Sequence, residues 1–320
     1  MANFEFVLPP PPTRNATPSY GEQDLVRRSA SSVPPPARKL TEVSKLIDVS
    51  KCIGCKACQA ACLEWNDERI PVGENDGSYT IPPDLTPNMF TVMRFTEWVN
   101  PETQDLEWLI RKDGCMHCED PGCLTACPSP GAIVQYSNGI VDFQQENCIG
   151  CQFCVSGCPF NIPKFNPNTK KVYKCTLCSD RVGAGLEPAC IKACPTGCLH
   201  FGTKEDMKFI AENRASQLRE VSGFQNAGVY DPDTIGGTHV IYVLHDATKP
   251  ERYGNLPSKP RIPLSFTVWK DIFKPIGLFG AMLGFVGVVM HYVFEGPRRE
   301  QPTPPVMRID PPPPPAGKEN

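Results

Sequence analysis

The sequence predicts an α+β protein that consists of two related, loop-rich modules followed by a single membrane-spanning helix. Three observations predict this organisation: a cysteine spacing that recurs between residues 52 and 198, a helical and a strand pattern after it, and a late apolar run. The chain has 320 residues, 17 cysteines and a formal net charge of −3. A charge balance this close to neutral argues against a nucleic-acid partner, and none is expected.

The cysteines form groups of four, and the groups resemble one another. The pattern Cys-x2-Cys-x2-Cys-x3-Cys begins at Cys52 and returns 96 residues later at Cys148, and two variants begin at Cys115 and Cys175. Internal repetition of this kind predicts tandem copies of one metal-binding unit. Residues 1–25 lack the apolar segment of a secretory signal, which favours metal ligation over disulfides.

This spacing favours iron–sulfur clusters over zinc. Structural zinc sites commonly use two separated Cys-x2-Cys pairs, whereas three thiolates on one tight loop can reach three irons of a cubane. The fourth cysteine lies on the next helical turn and faces away, and in two-cluster ferredoxins it binds the other cluster. Pro128, Pro159 and Pro195 follow the fourth cysteine of three groups, as in the bacterial pattern, and Leu63 departs from it. We therefore expect four [4Fe–4S] clusters in two pseudo-symmetric, bacterial ferredoxin-like modules.

An exchanged fourth cysteine requires the groups to pair, and spacing alone leaves two schemes open. In the sequential scheme the first group pairs with the second and the third with the fourth. In the nested scheme the second group pairs with the third, and the first with the last. The nested scheme predicts four ligand sets: Cys52, Cys55, Cys58 and Cys194 for cluster one, Cys62, Cys175, Cys178 and Cys190 for cluster two, Cys115, Cys118, Cys123 and Cys158 for cluster three, and Cys127, Cys148, Cys151 and Cys154 for cluster four.

Three further residues attract attention because of where they stand. Cys198 follows Cys194 by four residues, as either a spare thiol or a substitute ligand, and we expect no iron on it because sixteen cysteines already fill four clusters. His117, between Cys115 and Cys118, is expected to pack near a cluster rather than to bind iron. His291 lies in the apolar run, where it either hydrogen-bonds near a partner's haem or quinone or sits at the membrane interface.

Residues 276–294 predict a transmembrane helix. The segment contains no Asp, Glu, Lys or Arg, and its length corresponds to about 28 Å of helix, close to the hydrocarbon thickness of a bilayer. Gly280 and Gly284 form a G-x-x-x-G face that allows close helix contact. A buried core helix is the alternative, but the run stands alone beside a proline-rich end.

The remaining patterns set the domain boundaries. Proline runs at Pro9–Pro12 and Pro311–Pro315 predict a disordered tail over residues 1–40 and a proline-rich tail over 295–320. The four-cluster domain is then expected over 41–256, with a segment that approaches the membrane over 257–275. Within that domain, Thr203-x-x-Asp206 predicts a helix start, and Val240–Leu244 predicts a strand.

Taken together, these residues resemble a known family. Four such groups in this order are similar to the four-cluster ferredoxin subunits of molybdopterin oxidoreductases, and most closely to the iron–sulfur (beta) subunits of membrane-bound formate dehydrogenases of the N and O types. The resemblance covers about residues 25–297. It is carried by KLIDVSKCIGCKAC at 45–58, WLIRKDGCMHCEDPGC at 108–123, GIVDF at 139–143, CPFNIP at 158–163, YKCTLC at 173–178, GGTHV at 236–240 and the apolar run that ends in His291 and Tyr292.

The resemblance implies a function, partners and a location. It implies the nested pairing, and it gives Cys198 no role. It implies an electron-transfer subunit, with no catalytic site of its own, that carries electrons from a molybdenum or tungsten bis-pterin catalytic subunit, which oxidises formate, to a membrane cytochrome b and quinone. It also implies a bacterial inner-membrane protein with a periplasmic cluster domain, exported with its catalytic partner, and a cytoplasmic carboxy-terminal tail.

Two other functions remain open at this point. The same chain of clusters could serve a polysulfide, thiosulfate, dimethyl sulfoxide or nitrite reductase complex in which quinol is the electron donor. Many electron-transfer subunits of such complexes lack a transmembrane helix. A different class of function is also possible: the chain could be a soluble polyferredoxin, or a scaffold that metal stabilises and that transfers no electrons.

Overall fold

The computed structural model describes residues 20–31, 37–38, 40–70, 77–99 and 104–296. The chain divides into two compact units, with the boundary between Thr267 and Val268. The strands are β1 (Leu25–Arg28), β2 (Val43–Asp48), β3 (Thr91–Val99), β4 (Leu106–Gly114), β5 (Ile133–Tyr136), β6 (Val141–Phe143), β7 (Lys164–Asn166), β8 (Lys171–Tyr173), β9 (Leu199–Thr203), β10 (Gly228–Tyr230) and β11 (Val240–Leu244). The helices are α1 (Ala57–Trp65), α2 (Gly122–Ala126), α3 (Phe153–Ser156), α4 (Ser179–Gly183), α5 (Ala189–Lys192), α6 (Lys204–Glu220), α7 (Leu264–Val268) and α8 (Lys274–Glu295).

A four-stranded sheet organises the first unit. Its strand order is β10-β11-β2-β9, with β11 and β2 parallel and the other pairs antiparallel. The continuous apolar run of β11 is buried along its whole length, as expected for a strand that is covered on both faces. Because side chains alternate along a strand, Ile241 and Val243 pack on α6, whereas Val240, Tyr242 and Leu244 face the core that holds the cysteines.

Helix α6 covers one face of this sheet and begins where the sequence predicts. The Thr203 side chain accepts a hydrogen bond from the Asp206 amide at 3.1 Å, which caps the helix. The sequence has apolar residues at helical spacing after this cap. Met207, Ala211, Ala215 and Leu218 are buried, whereas Ile210 is 40% exposed. The predicted helix start and the predicted strand at Val240–Leu244 are therefore both confirmed.

Strand β1 lies within residues 1–40, a range for which the sequence predicts disorder. It pairs antiparallel with β5 and so completes the three-stranded sheet β1-β5-β6. Just after it, Ser29 donates from its backbone nitrogen to the Ile133 carbonyl at 2.8 Å and from its hydroxyl to the Ser129 carbonyl at 2.5 Å. The strand owes its structure to a partner far along the chain, and local pattern does not reveal that. Residues 1–19, 32–36, 39 and 297–320 of the two predicted tails lie outside the described residues.

Two hairpins complete the first unit. β3 and β4 pair antiparallel along nine residues each, from Thr91 opposite Gly114 to Val99 opposite Leu106. β7 and β8 form a shorter hairpin of three residues a strand. The long hairpin lies against the first cysteine group, where the sulfur of Met93 is 3.5 Å from that of Cys58.

The second unit contains α8, a helix of 22 residues whose most apolar 18-residue stretch has a mean hydropathy of 1.9. Among the described residues it is the one helix long and apolar enough to cross a membrane. At about 1.5 Å per residue it measures about 33 Å, so it contains the whole predicted span of 276–294. A Cβ added at Gly280 or Gly284 would meet no atom within 4 Å.

Candidate metal centres

The first cysteine group lies on a loop that follows β2. Asp48 ends that strand, and its side chain accepts from the Ser50 amide at 3.0 Å, which starts a tight turn over Val49–Lys51. Arg214 of α6 holds the same carboxylate at 2.9 Å. The loop therefore leaves the sheet in a defined direction, and α1 then begins with Cys58 on its second residue and Cys62 one turn later.

The four Cys-x-x-Cys loops share one backbone feature. The residue before the second cysteine is left-handed in every group, with φ of 68° at Gly54, 45° at His117, 70° at Gly150 and 55° at Leu177. This conformation turns the chain so that backbone N–H groups face the first sulfur of the loop. The His117 amide lies 3.5 Å from the Cys115 sulfur, and the Leu177 amide lies 3.4 Å from the Cys175 sulfur.

Two pockets gather cysteines from groups that are far apart in the sequence. One is lined by Cys52, Cys55 and Cys58 together with Cys194, and Cys198 joins them. The other is lined by Cys115, Cys118 and Cys123 together with Cys158. The first group therefore meets the fourth, and the second meets the third. Contacts between α1 and α5 and between α2 and α3 bring the same groups together.

The other eight cysteines also gather in two fours. Burial, followed by the neighbouring thiolates of Cys175, Cys178 and Cys190, raises the pKa of Cys62. Burial, followed by three neighbours from the second and third groups, raises the pKa of Cys154 to about 12. Those three neighbours are Cys127, Cys148 and Cys151. The cysteines that the sequence assigns to clusters two and four are thus mutual neighbours.

Neighbouring cysteines place the four sets in a row. Burial raises the pKa of Cys58 to about 11 against the opposing charge of Lys112, and Cys190 of the second set raises it further. Burial also raises the pKa of Cys115, with Lys174 opposing and Cys175 adding to the rise. Cys154 of the fourth set contributes in the same way to the raised pKa of Cys123 in the third. Each set therefore has the next one beside it.

Three buried lysines lie among these cysteines, and the sequence analysis did not single them out. Lys45, Lys112 and Lys174 are each at most 4% exposed. Burial alone would lower the pKa of Lys112, but the charges of Cys190 and Cys58 raise it above its ordinary value. Lys174 Nζ donates to the carbonyls of Val141 at 2.5 Å and Cys175 at 2.9 Å. A lysine inside the apolar-patterned β2 was the signal that could have revealed such a site.

These surroundings fit clusters held by thiolates. Each gathering offers at least four cysteine sulfurs, which suits soft iron–sulfur chemistry. Buried cations need nearby anionic partners, and a cage that carries four cysteine thiolates is anionic. The buried Nε2 atom of His117, which lines the pocket of the third set, has no hydrogen-bond partner among the described residues. The donor set, the buried positive charge and the free N–H group all suit such a cluster.

The two ends of the row reach the surface. Cys55 in the first group and Cys151 in the third are exposed, whereas Cys115, Cys118 and Cys123 in the second group are buried. Two isoleucines at equivalent loop positions, Ile53 and Ile149, are 64% and 66% exposed. The row therefore has an exposed tip at the first set, another at the fourth, and a buried centre.

Comparison with known proteins supports these features at the level of families. Two families described as 4Fe-4S dicluster domains match residues 51–132 and 106–204. A family described as "Formate dehydrogenase N, transmembrane" matches residues 262–305. The matches cover the cysteine region and the apolar helix separately.

Curated relatives match nearly the whole chain. The nitrate-inducible formate dehydrogenase iron-sulfur subunit of Escherichia coli is 57% identical over 282 residues, which is 87% of this chain and 95% of the relative. The formate dehydrogenase-O iron-sulfur subunit of the same organism is 56% identical over 88% of this chain and 94% of its own length. The formate dehydrogenase iron-sulfur subunit of Haemophilus influenzae is 56% identical over 87% of this chain and 90% of the relative.

Proposed function

Since this chain belongs to the family of formate dehydrogenase iron–sulfur subunits, we propose a specific route for electrons through it. The protein is an electron-transfer subunit of a formate dehydrogenase complex and not its catalytic subunit. It holds four [4Fe–4S] clusters in two ferredoxin-like dicluster domains, and a carboxy-terminal helix anchors it to the membrane. The fold class, cofactors and family predicted from the sequence are confirmed.

The proposed ligands are the nested sets. Two observations support them: the first group lines a pocket with Cys194, and the second lines a pocket with Cys158. The sets are Cys52, Cys55, Cys58 and Cys194 for cluster one, Cys62, Cys175, Cys178 and Cys190 for cluster two, Cys115, Cys118, Cys123 and Cys158 for cluster three, and Cys127, Cys148, Cys151 and Cys154 for cluster four. Cys198 remains outside all four sets in this proposal.

The chain's own residues supply distance, insulation and charge. When bound, each cluster accepts and releases one electron at a potential set by its surroundings. The left-handed loop residues turn backbone N–H groups toward the ligand sulfurs, which favours the more negative state of the site. The positive charges of the buried lysines near the centre of the row also favour the more negative state of the clusters. The observation that carries the proposed route is the row itself, which joins two exposed tips through a buried centre.

We assign one partner to each tip. The tip at Ile53 and Cys55 would face a catalytic subunit with a molybdenum or tungsten bis-pterin centre, which oxidises formate. The tip at Ile149 and Cys151 would face a membrane cytochrome b that passes electrons to quinone. Phe153, beside the second tip, packs edge-on against Phe266 with ring centroids 6.3 Å apart, and Phe266 belongs to the segment that leads toward α8. The first unit therefore ends beside this tip, and the proposal of a membrane partner there rests on that chain path.

The proposed domain limits follow from the same reasoning. The cluster domain comprises residues 41–256 together with strand β1, which pairs with β5 although it lies in the predicted tail of residues 1–40. The approach segment is 257–275 and the membrane span is 276–294, and proline-rich residues flank the two ends of the chain. We propose that the cluster domain lies on the periplasmic side of a bacterial inner membrane and the tail after Phe294 in the cytoplasm. Protease added to sealed spheroplasts should then digest residues 41–256, and their survival would place the domain on the other side.

The function itself is tested on the complex purified from detergent-solubilised membranes. We expect a catalytic subunit and a cytochrome to copurify with this chain, formate to reduce quinone, and formate alone to reduce the clusters. If quinol reduced the clusters and formate did not, the complex would instead be a reductase that carries electrons from quinol to its catalytic subunit. Extraction of the chain without detergent would contradict membrane anchoring.

A further inference from the structure

His117 occupies a position at which the first and third groups have glycine. The corresponding residues are Gly54 and Gly150, and all three have a left-handed backbone, with φ of 45° at His117. A residue with a side chain is disfavoured in this region, and such outliers concentrate at functional sites. The His117 side chain is completely buried. A buried histidine in a strained position requires a physical explanation.

A hydrogen bond fixes the tautomer of His117. The Val141 amide donates to its Nδ1 atom at 3.1 Å. An amide N–H can only donate, so Nδ1 carries a lone pair, and the proton of the neutral ring is on Nε2. The ring is therefore oriented with a single N–H donor at its far end.

The Nε2 donor has no acceptor in the protein. It is buried and without a hydrogen-bond partner among the described residues. The Oε1 atom of Gln135 is also unpaired, so it does not accept from His117, and the Nε2 atom of Gln135 donates to the carbonyls of Cys118 and Glu119 at 3.3 and 3.2 Å. Buried polar groups in native proteins almost always have partners, so a group outside the polypeptide is the expected acceptor.

His117 lines the pocket that the third cysteine set surrounds. That pocket also contains the buried Lys174, and its remaining walls are largely apolar, with Val141, Phe160 and Ile162 among them. The sulfurs that would fill it are acceptors for a hydrogen bond, and each such bond favours the reduced, more negative cluster. A histidine N–H in an apolar pocket is well suited to this role because water does not compete for it.

We propose that His117 Nε2–H donates a hydrogen bond to a sulfur of the cluster held by Cys115, Cys118, Cys123 and Cys158, and that this bond raises the reduction potential of that cluster. The inference rests on the proposed ligand sets. His117 acts here as a tuning residue and binds no iron. Among the four loops, the second has a hydrogen-bond donor side chain at this position, where the others have Gly54, Gly150 and Leu177.

Two variants, studied in the complete complex, distinguish loss of the hydrogen-bond donor from a general loss of folding. In His117→Asn, Oδ1 replaces Nδ1 as the acceptor for the Val141 amide, the residue type tolerates a left-handed backbone, and the far donor is lost. In His117→Gln, the terminal amide can restore a donor at the far position, and Gln152 of this chain already adopts a φ of 63°.

The readout is a redox titration followed by electron paramagnetic resonance, with iron content measured on the same samples. For His117→Asn we expect about sixteen irons and one midpoint that falls enough to change the ratio of reduced to oxidised cluster about tenfold, or about 59 mV for one electron. The other three midpoints should stay, and His117→Gln should recover most of the shift. Pulsed resonance of the wild-type complex, labelled with 15N in the histidine rings, should detect a ring nitrogen coupled to that cluster, which distinguishes it from the backbone amide that also faces the Cys115 sulfur.

The outcomes separate this inference from the proposed function. Sixteen irons with four unchanged midpoints in His117→Asn would overturn the role of His117 and leave the ligand sets intact. Fewer than sixteen irons in the wild type would overturn the ligand sets themselves. Should both variants lose iron, the wild-type pulsed experiment decides alone, and the lack of coupling between the cluster and a histidine ring nitrogen would reject the proposal.

Discussion

The outer and inner cysteine loops share a backbone path but differ in surroundings. The outer loops, in the first and third groups, have glycine at the left-handed position, exposed isoleucines and one exposed cysteine each. The inner loops, in the second and fourth groups, have His117 and Leu177 there, both almost fully buried. One repeated unit has thus diverged into exposed ends and a buried centre.

The glycines of the outer loops are required by space as well as by backbone angle. A Cβ at Gly54 would lie 2.5 Å from the Phe95 ring, and one at Gly150 would lie 2.2 Å from the Lys170 carbonyl oxygen. His117 and Leu177 show that the same backbone angle tolerates a side chain where there is room. The loop conformation is therefore common to all four groups. In the two outer loops, neighbouring atoms also pack closely against the glycine.

The largest expected effect comes from removing an inner ligand. Cys123→Ala should abolish cluster three, so the iron content should fall by about four per chain from about sixteen, and electron flow should stop at the centre of the row. The measurements are iron content and the number of cluster signals by electron paramagnetic resonance. Sixteen irons in this variant would contradict both the nested sets and the view of the inner loops as an indispensable bridge.

An added methyl group tests the packing of the outer loops. Gly150→Ala should destabilise the protein by about 3 kcal/mol or more, because the new Cβ would collide with a backbone atom that has little freedom to move. Gly185→Ala is the matched control, since its φ is also positive at 77° but nothing lies within 4 Å of the added Cβ, and it should cost about 1–2 kcal/mol. Thermal unfolding measures the loss of stability in each variant. If the two losses are equal, Gly150 is required only for its positive φ and not for the space that it leaves.

Replacing a buried lysine tests whether positive charge at the centre of the row raises the potentials of the clusters. Lys112→Met keeps much of the side-chain volume, removes the bond to the Thr91 hydroxyl at 2.5 Å and removes positive charge near Cys58 and Cys190. We expect the midpoints of clusters one and two to fall, by about 59 mV for each tenfold change in the ratio of reduced to oxidised cluster.

Lys192→Met is the control for that charge. Lys192 lies two residues from both Cys190 and Cys194 but is exposed, so water and salt screen its charge. Its removal should change the midpoints far less than the removal of Lys112. Equal shifts in the two variants would mean that burial does not strengthen the effect of the lysines at the centre.

The cysteine spacing predicts the chemistry well because it is a local property. Three sulfurs on one loop, a fourth on the next turn and the following proline can be recognised from a dozen residues, as at Cys148–Pro159. The apolar run at 276–294 is equally local. Pattern alone left the pairing of groups open, because this depends on contacts such as that between Cys194 and the first loop, which join residues far apart in the chain.

Tertiary packing also explains what sequence pattern did not find. Strand β1 exists because β5 offers it an edge, and its own residues carry no strand signal that stands out from a proline-rich neighbourhood. Lys112 and Lys174 look like ordinary surface residues in the sequence, and Lys45 is marked only by its place in β2. Their burial among cysteines reveals a role for all three. Local chemistry could be predicted, but the electrostatic environment of the clusters could not.

The smallest expected effect concerns an asymmetry between the outer tips, the additional thiol near the proposed cluster one. Cys198 is buried, and its sulfur lies 3.8 Å from that of Cys194. Sulfurs in van der Waals contact cannot bind separate irons at different corners of one cage, and the Cys198 carbonyl is held at 2.8 Å by the Asp48 amide as β9 begins. Cys198→Ala should therefore keep about sixteen irons and lower stability by about 1 kcal/mol for the lost packing. Cys194→Ala, the matched variant, should lose cluster one, and a loss of four irons in Cys198→Ala instead would exchange the roles of these two cysteines.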